Sequence, residues 1–126
     1  MNMKIFTTLV ITLILGVSQP ALAEHLCDAD IKYAISEIYS QHGDEQFLSK
    51  RADYDVKGLV GKLEAAMDKL RYGKTADADQ KISDAQYKLD QLIGGGKPKL
   101  TNDGYDAISY ELDVVSKCIA PFLPSD

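Results

Sequence analysis

Apolar residues recur along most of this chain at the three- and four-residue spacing of a helix face, with polar and charged residues between them. Ile31, Ala34, Ile35, Ile38 and Tyr39 fall at i, i+3, i+4, i+7 and i+8, which predicts a first helix over Ala29–Gln41. Asp28 stands where its carboxylate can cap the first turn. Gly43 stands where a helix ends in the left-handed conformation that glycine accepts. Residues 44–54 are polar and read as a connection, anchored on the bundle by Phe47 and Leu48. A second helix is expected from about Asp55 to Tyr72, with a wide stripe through Val56, Leu59, Val60, Leu63, Ala66, Met67 and Leu70. Gly58 and Gly61 weaken its start by about 1 kcal/mol each relative to alanine, which leaves room for close packing or delays the start. Gly73 stops it.

A third helix opens at Thr75, a good N-cap, with Asp77 and Asp79 in the positive first turn. Its stripe is Ala78, Ile82, Ala85, Leu89, Leu92 and Ile93, and Gly94-Gly95-Gly96-Lys97-Pro98 ends it. A fourth begins at Thr101 or Asn102, carries Tyr105, Ile108, Leu112, Val115 and Ile119 on one face, and closes at Pro121. No useful length alternates with period two, so no strands are expected.

The beginning of the chain breaks this pattern. Met1-Asn2-Met3-Lys4 is a short basic start, Ile5 to Val17 is an apolar run, and Ala21-Leu22-Ala23 fits a small-x-small cleavage site before Glu24. The expectation is a signal peptide over 1–23 and a single exported domain over 24–126, periplasmic or secreted. The apolar run falls short of the ~20 residues that a membrane span needs, so stable membrane insertion is not expected. The chain has a formal net charge of -5 and no basic tract, which disfavours nucleic acid and anionic lipid as partners.

Cys27 and Cys118 are the only two cysteines of the 126 residues. In an exported domain of this size an even count reads as a disulfide, and there is no Cys-x-x-Cys or adjacent histidine to make a redox pair. Mostly short connections favour antiparallel neighbours, hence an all-α, four-helix, up-down-up-down bundle. In that topology the start of the first helix and the end of the fourth lie together. Cys27 and Cys118 occupy those two ends, so bridge and topology support each other.

The segment Leu59-Val60-Gly61-Lys62-Leu63-Glu64-Ala65-Ala66-Met67-Asp68-Lys69-Leu70-Arg71-Tyr72-Gly73-Lys74 continues through Ala78, Ile82 and Leu89 to Gly96-Lys97-Pro98-Lys99-Leu100-Thr101 and Ala107-Ile108. This pattern of hydrophobic spacing and Gly-Lys turns, over about 53–116, resembles the FIMAH domain, a small helical module found in secreted bacterial proteins. The resemblance implies a helical, non-catalytic accessory or adhesion-like role and supplies no catalytic residues.

Candidate chemistry is sparse. Asp53-x-Asp55-x-Lys57-Gly58-x-Val60-x-x-x-Glu64 matches a calcium-binding loop at its first, third, sixth, eighth and twelfth positions. Lys57 puts a positive charge where a ligand oxygen belongs, so the preferred reading is a helix start capped by Asp53 or Asp55. Asp53, Asp55 and Glu64 remain the weak metal candidates. His25 and His42 are the only histidines, too few for a zinc centre, and Met67 is read as core rather than as a haem ligand. No Ser/His/Asp or Cys/His set suggests an enzyme, and no cofactor is expected.

The seven tyrosines carry more information. Tyr33, Tyr87 and Tyr110 sit two residues from stripe positions, about 200° around a helix of 3.6 residues per turn, so they should face outward. Ala107, Tyr110 and Val114 form a second apolar line on the fourth helix. Acids interleave them, namely Glu37, Asp84, Asp90, Glu111 and Asp113. Tyrosine offers a large apolar body with a polar tip, which suits partner-binding surfaces. The candidate partner-binding residues are therefore Tyr33, Tyr87, Tyr110, Val114 and Glu111, facing a partner with a basic surface. The expected function is non-enzymatic protein binding, as an immunity or inhibitor protein acting on a periplasmic toxin or hydrolase. An accessory or chaperone-like subunit of an envelope or secretion system, or a calcium- or small-ligand-binding module, are the alternatives.

Overall fold

Four apolar stripes converge on one core in the computed structural model, which describes residues 19–124 and their side chains from Leu26 onward. The helices are α1 (Gln19–Gly43), α2 (Ala52–Arg71), α3 (Thr75–Ile93) and α4 (Asn102–Ile119), followed by a single 3-10 turn at Ala120–Phe122. Among the described residues there is no strand, only an isolated antiparallel bridge between Phe47 and Leu100. The main contacts join α1 to α2, α2 to α3, α3 to α4 and α4 back to α1, a closed ring with α1 and α3 on one diagonal. The all-α bundle expected from the periodicity is the fold.

The core takes one or two residues per turn from each helix. Ile31 and Ile38 of α1, Leu59 and Leu63 of α2, Ile82 and Leu89 of α3, and Ile108 and Leu112 of α4 are at most 1% exposed. Burying each such side chain is worth about 1.5–3 kcal/mol relative to leaving it in water. Cys27 is fully buried, and its sulfur is bonded to that of Cys118 with the Cα atoms 5.7 Å apart. The bridge therefore ties α1 to the last turn of α4, as the alternation of helix directions requires.

The opposite end of the bundle is closed by two loops that grip one another. The Leu48 amide donates to the Lys99 carbonyl at 2.9 Å, and the Thr101 amide donates to the Gln46 carbonyl at 3.0 Å. The Thr101 hydroxyl also bonds the Gln46 side chain and accepts from the Gly104 amide at 3.0 Å, so Thr101 is the N-cap expected for α4. Gly73 (φ 74°) ends α2 in a left-handed turn. The Lys74 amide reaches back to the Lys69 carbonyl and the Gly73 amide to that of Leu70, which satisfies carbonyls the helix leaves free.

Several local expectations fail at helix ends. α1 begins upstream of Asp28, so Asp28 lies inside the helix and pairs with Lys32 at 2.9 Å instead of capping. α1 does end at Gly43, but the left-handed residue is Glu45 (φ 62°). The Gln46 and Glu45 amides return to the Gln41 and His42 carbonyls there, the same closure as at Gly73. α2 begins at Ala52, three residues early, with Arg51 at the cap position and no side-chain cap. Asp53 and Asp55 are thus first-turn residues, favoured there by the helix dipole rather than by capping bonds. Thr75 is the first residue of α3 and is buried, and Lys74 holds the cap position. Tyr39 (52% exposed) and Leu48 (55%) lie outside the core, because the α1 stripe runs through Cys27, Ile31, Ala34 and Ile38, and Phe47 alone anchors the connection. Residues 1–18 of the expected signal peptide lie outside the described residues. Residues 19–23 are the start of α1.

Candidate functional site

The seam between α1 and α4 gathers most of the residues singled out above. On α1, Asp30, Tyr33 and Glu37 follow at i, i+3 and i+7, so they share one face. On α4, Ala107, Glu111 and Val114 follow at i, i+4 and i+7, with Tyr110 one position to the outside. Ala107, Glu111 and Val114 are half-buried in the seam, while Tyr33 and Tyr110 are 63% and 67% exposed. The two helices meet here because the core stripes of α1 and α4 leave these residues on the facing flanks, and the Cys27–Cys118 bridge fixes the register.

Electrostatics confirm which flanks meet. The Glu111 carboxyl is held above its ordinary 4.5, first by burial and then by the negative charges of Glu37 and Asp30 across the seam. No cation pairs with Asp30, Glu37 or Glu111 among the described residues, and Glu37 accepts only from its neighbour Gln41, at 2.8 Å. The other acids noted in the sequence are engaged locally. Asp84 accepts from Gln80 at 3.0 Å, Asp90 accepts from the Tyr105 hydroxyl at 2.6 Å, and Asp113 pairs with Lys117 at 2.9 Å. The arrangement is a strip of uncompensated carboxylate flanked by two exposed phenol rings.

Tyr87 is 66% exposed as expected, but it sits on α3, across the bundle from α1, and does not belong to this surface. Asp30 belongs to the seam and was not singled out in the sequence. It stands one turn before Tyr33, and its distance from Glu111 depends on which flank of α1 receives α4, which the stripes alone do not specify.

The calcium-loop reading of 53–64 does not match the geometry. Such a loop needs a tight turn at its sixth position, whereas Asp53, Asp55, Gly58 and Glu64 all lie within the continuous helix α2. Asp53 instead contacts His42 Nε2 at 2.8 Å, joining the end of α1 to the start of α2, and Phe47 meets the His42 ring edge-on. No group of three metal-ligating side chains forms among the described residues.

A second polar cluster lies where α2 meets α3. The Arg51 guanidinium sits 4.3 Å from the centre of the exposed Tyr54 ring, and the Lys88 ammonium sits 5.7 Å from it. Asp55, the residue after Tyr54, is buried, at 5% exposure.

No helix among the described residues is long and apolar enough to cross a membrane. No protein-family model matches the chain, and neither a curated protein nor a solved structure matches it.

Proposed function

We propose that this is an exported, non-enzymatic protein-binding protein, and that it acts as an immunity or inhibitor protein by covering a basic surface of a toxin or hydrolase in the periplasm. The observation that carries the reading is the α1–α4 seam: Glu111, Glu37 and Asp30 crowd one another without a cation, between the exposed rings of Tyr33 and Tyr110. Crowded carboxylates cost the free protein stability, and a lysine or arginine from a partner would relieve that cost. Exposed tyrosines beside them supply apolar contact area with little conformational entropy to lose. The disulfide supports an oxidising compartment, and the resemblance to the FIMAH module agrees with a helical, non-catalytic role.

The test uses a photo-crosslinking amino acid placed at Tyr33, Tyr110 or Tyr87 in cells that export the protein. The expected result is one discrete adduct of one-to-one composition at Tyr33 and Tyr110 and none at Tyr87, with a basic partner whose expression is toxic unless this protein is present. Equal ladders of many adducts at all three positions would replace inhibition with a chaperone-like role. No adduct at Tyr33 or Tyr110 would remove the seam as the binding surface.

A further inference from the structure

Asp55 is the only buried carboxylate among the described residues, and its Oδ2 meets no hydrogen-bond partner. A carboxylate taken out of water without a partner is costly, so its surroundings need a donor. One donor is close. Gly58 lies one turn after Asp55 on α2 and leaves a notch that Lys88 of α3 enters: Lys88 Cε and Nζ lie 2.5 Å and 3.2 Å from where a Cβ on residue 58 would stand. Side chains one turn apart on a helix are about 5–6 Å apart at Cβ, so an ammonium in the Gly58 notch is within a side-chain rotation of Asp55. Among the described residues Lys88 has no carboxylate partner of its own. Asp84, one turn earlier on α3, accepts from Gln80, and Lys88 lies 5.7 Å from a Tyr54 ring that Arg51 already covers at 4.3 Å.

We propose that Lys88 is a strap across α2: it lies in the Gly58 notch with its ammonium 5.7 Å from the Tyr54 ring, and closes by a side-chain rotation that lets it donate to Asp55. Closing satisfies the buried carboxylate, joins α3 to α2 by a charge-assisted hydrogen bond, and uncovers one side of the Tyr54 ring. Gly58 is the residue that permits the crossing, since any side chain there would stand in the ammonium's way. Gly61, by contrast, faces open space, and a Cβ there would meet nothing within 4 Å.

A double-mutant cycle on the full chain tests this, with Asp55→Asn, Lys88→Met and both together followed by urea unfolding. Lys88→Met should lower the folding equilibrium constant by about fivefold or more when Asp55 is intact and by less than about twofold once Asp55→Asn is present. A second readout does not depend on the variants' stability. In the wild-type protein, the Lys88 ammonium protons should be protected enough from exchange to be seen by NMR, and Gly58→Ala should abolish that protection while the bundle stays folded. Additive effects in the cycle, a gain in stability on Asp55→Asn alone, or an unprotected Lys88 ammonium in the wild type would each overturn the strap.

Discussion

Gly104 and Gly61 are both helical glycines, yet the same substitution should move them in opposite directions. Gly104 is buried in the first turn of α4, under the paired loops. A Cβ there would stand 2.9 Å from Gln46 Cβ, 2.9 Å from Leu100 Cδ1 and 3.2 Å from Thr101 Oγ1. Carbon atoms in contact settle at about 3.5–4.0 Å, so two neighbours must retreat by roughly half an ångström or more. Neither can do so freely. Gln46 is held by the Thr101 amide and hydroxyl, and Leu100 is 1% exposed and paired with Phe47. Overpacking of this kind costs about 1–3 kcal/mol, from which the better helix propensity of alanine returns at most about 1 kcal/mol. The net loss for Gly104→Ala is about 1–2 kcal/mol. Gly61→Ala meets nothing and should gain about 0.5–1 kcal/mol from propensity alone. With a urea slope of about 1–3 kcal/mol per molar, the two unfolding midpoints should separate by about 0.5 M or more. If Gly104→Ala raised the midpoint as Gly61→Ala does, the two loops would not be gripping the start of α4.

Three further outcomes are expected. Replacing both cysteines by alanine should cost about 4–5 kcal/mol, because the bridge closes a loop across a sequence separation of 91; a loss below about 1 kcal/mol in urea unfolding would mean the ends stay together without it. The Tyr105 hydroxyl is held above its ordinary 10.0 by its hydrogen bond to Asp90, by burial and by that carboxylate's charge. Its folded value exceeds its unfolded one, so its contribution is complete below about pH 10 and is lost as pH rises through the raised value; in Tyr105→Phe that part of the alkaline decline should vanish from a pH series of melting temperatures. Glu111 also holds its proton more tightly folded than unfolded, so its contribution is present below its ordinary 4.5 and is lost as pH rises through the raised value. Glu111→Gln should therefore raise the melting temperature at neutral pH while weakening capture of the proposed basic partner, whereas a residue kept for stability would lose both.

What the sequence made legible follows from the kind of interaction that decides each feature. The four helices were readable because burial enforces periodicity: every third or fourth residue from Val56 to Leu70, from Ala78 to Leu92 and from Ile108 to Ile119 is apolar, and those faces are the core. The disulfide was readable because topology and cysteine position constrain each other. Helix ends were less so. Asp28 and Thr75 have the chemistry of caps, but a cap is only a local preference worth about 1 kcal/mol, and continued helix upstream of Asp28 overrides it. Glu45 in a left-handed turn beside an available Gly43 shows the same thing, since the loop that must bring Gln46 to Thr101 decides where the chain reverses.

The acidic seam and the buried Asp55 depend on something a single stripe does not encode. A stripe says which way a helix faces the core, but the two flanks beside it are equivalent until the order of the helices around the ring is known. Asp30 and Glu37 occupy one flank of α1 and His42 the other; α4 receives the first and α2 the second. The same holds on α2, where Asp53 turns toward His42 of α1 while Asp55 is buried. Two carboxylates that look like a matched pair of loop ligands at spacing two are separated by about 200° of helix, and they are divided between different neighbours. That division removes the calcium loop as a geometric possibility, and it leaves Asp55 without the donors a binding loop would have given it.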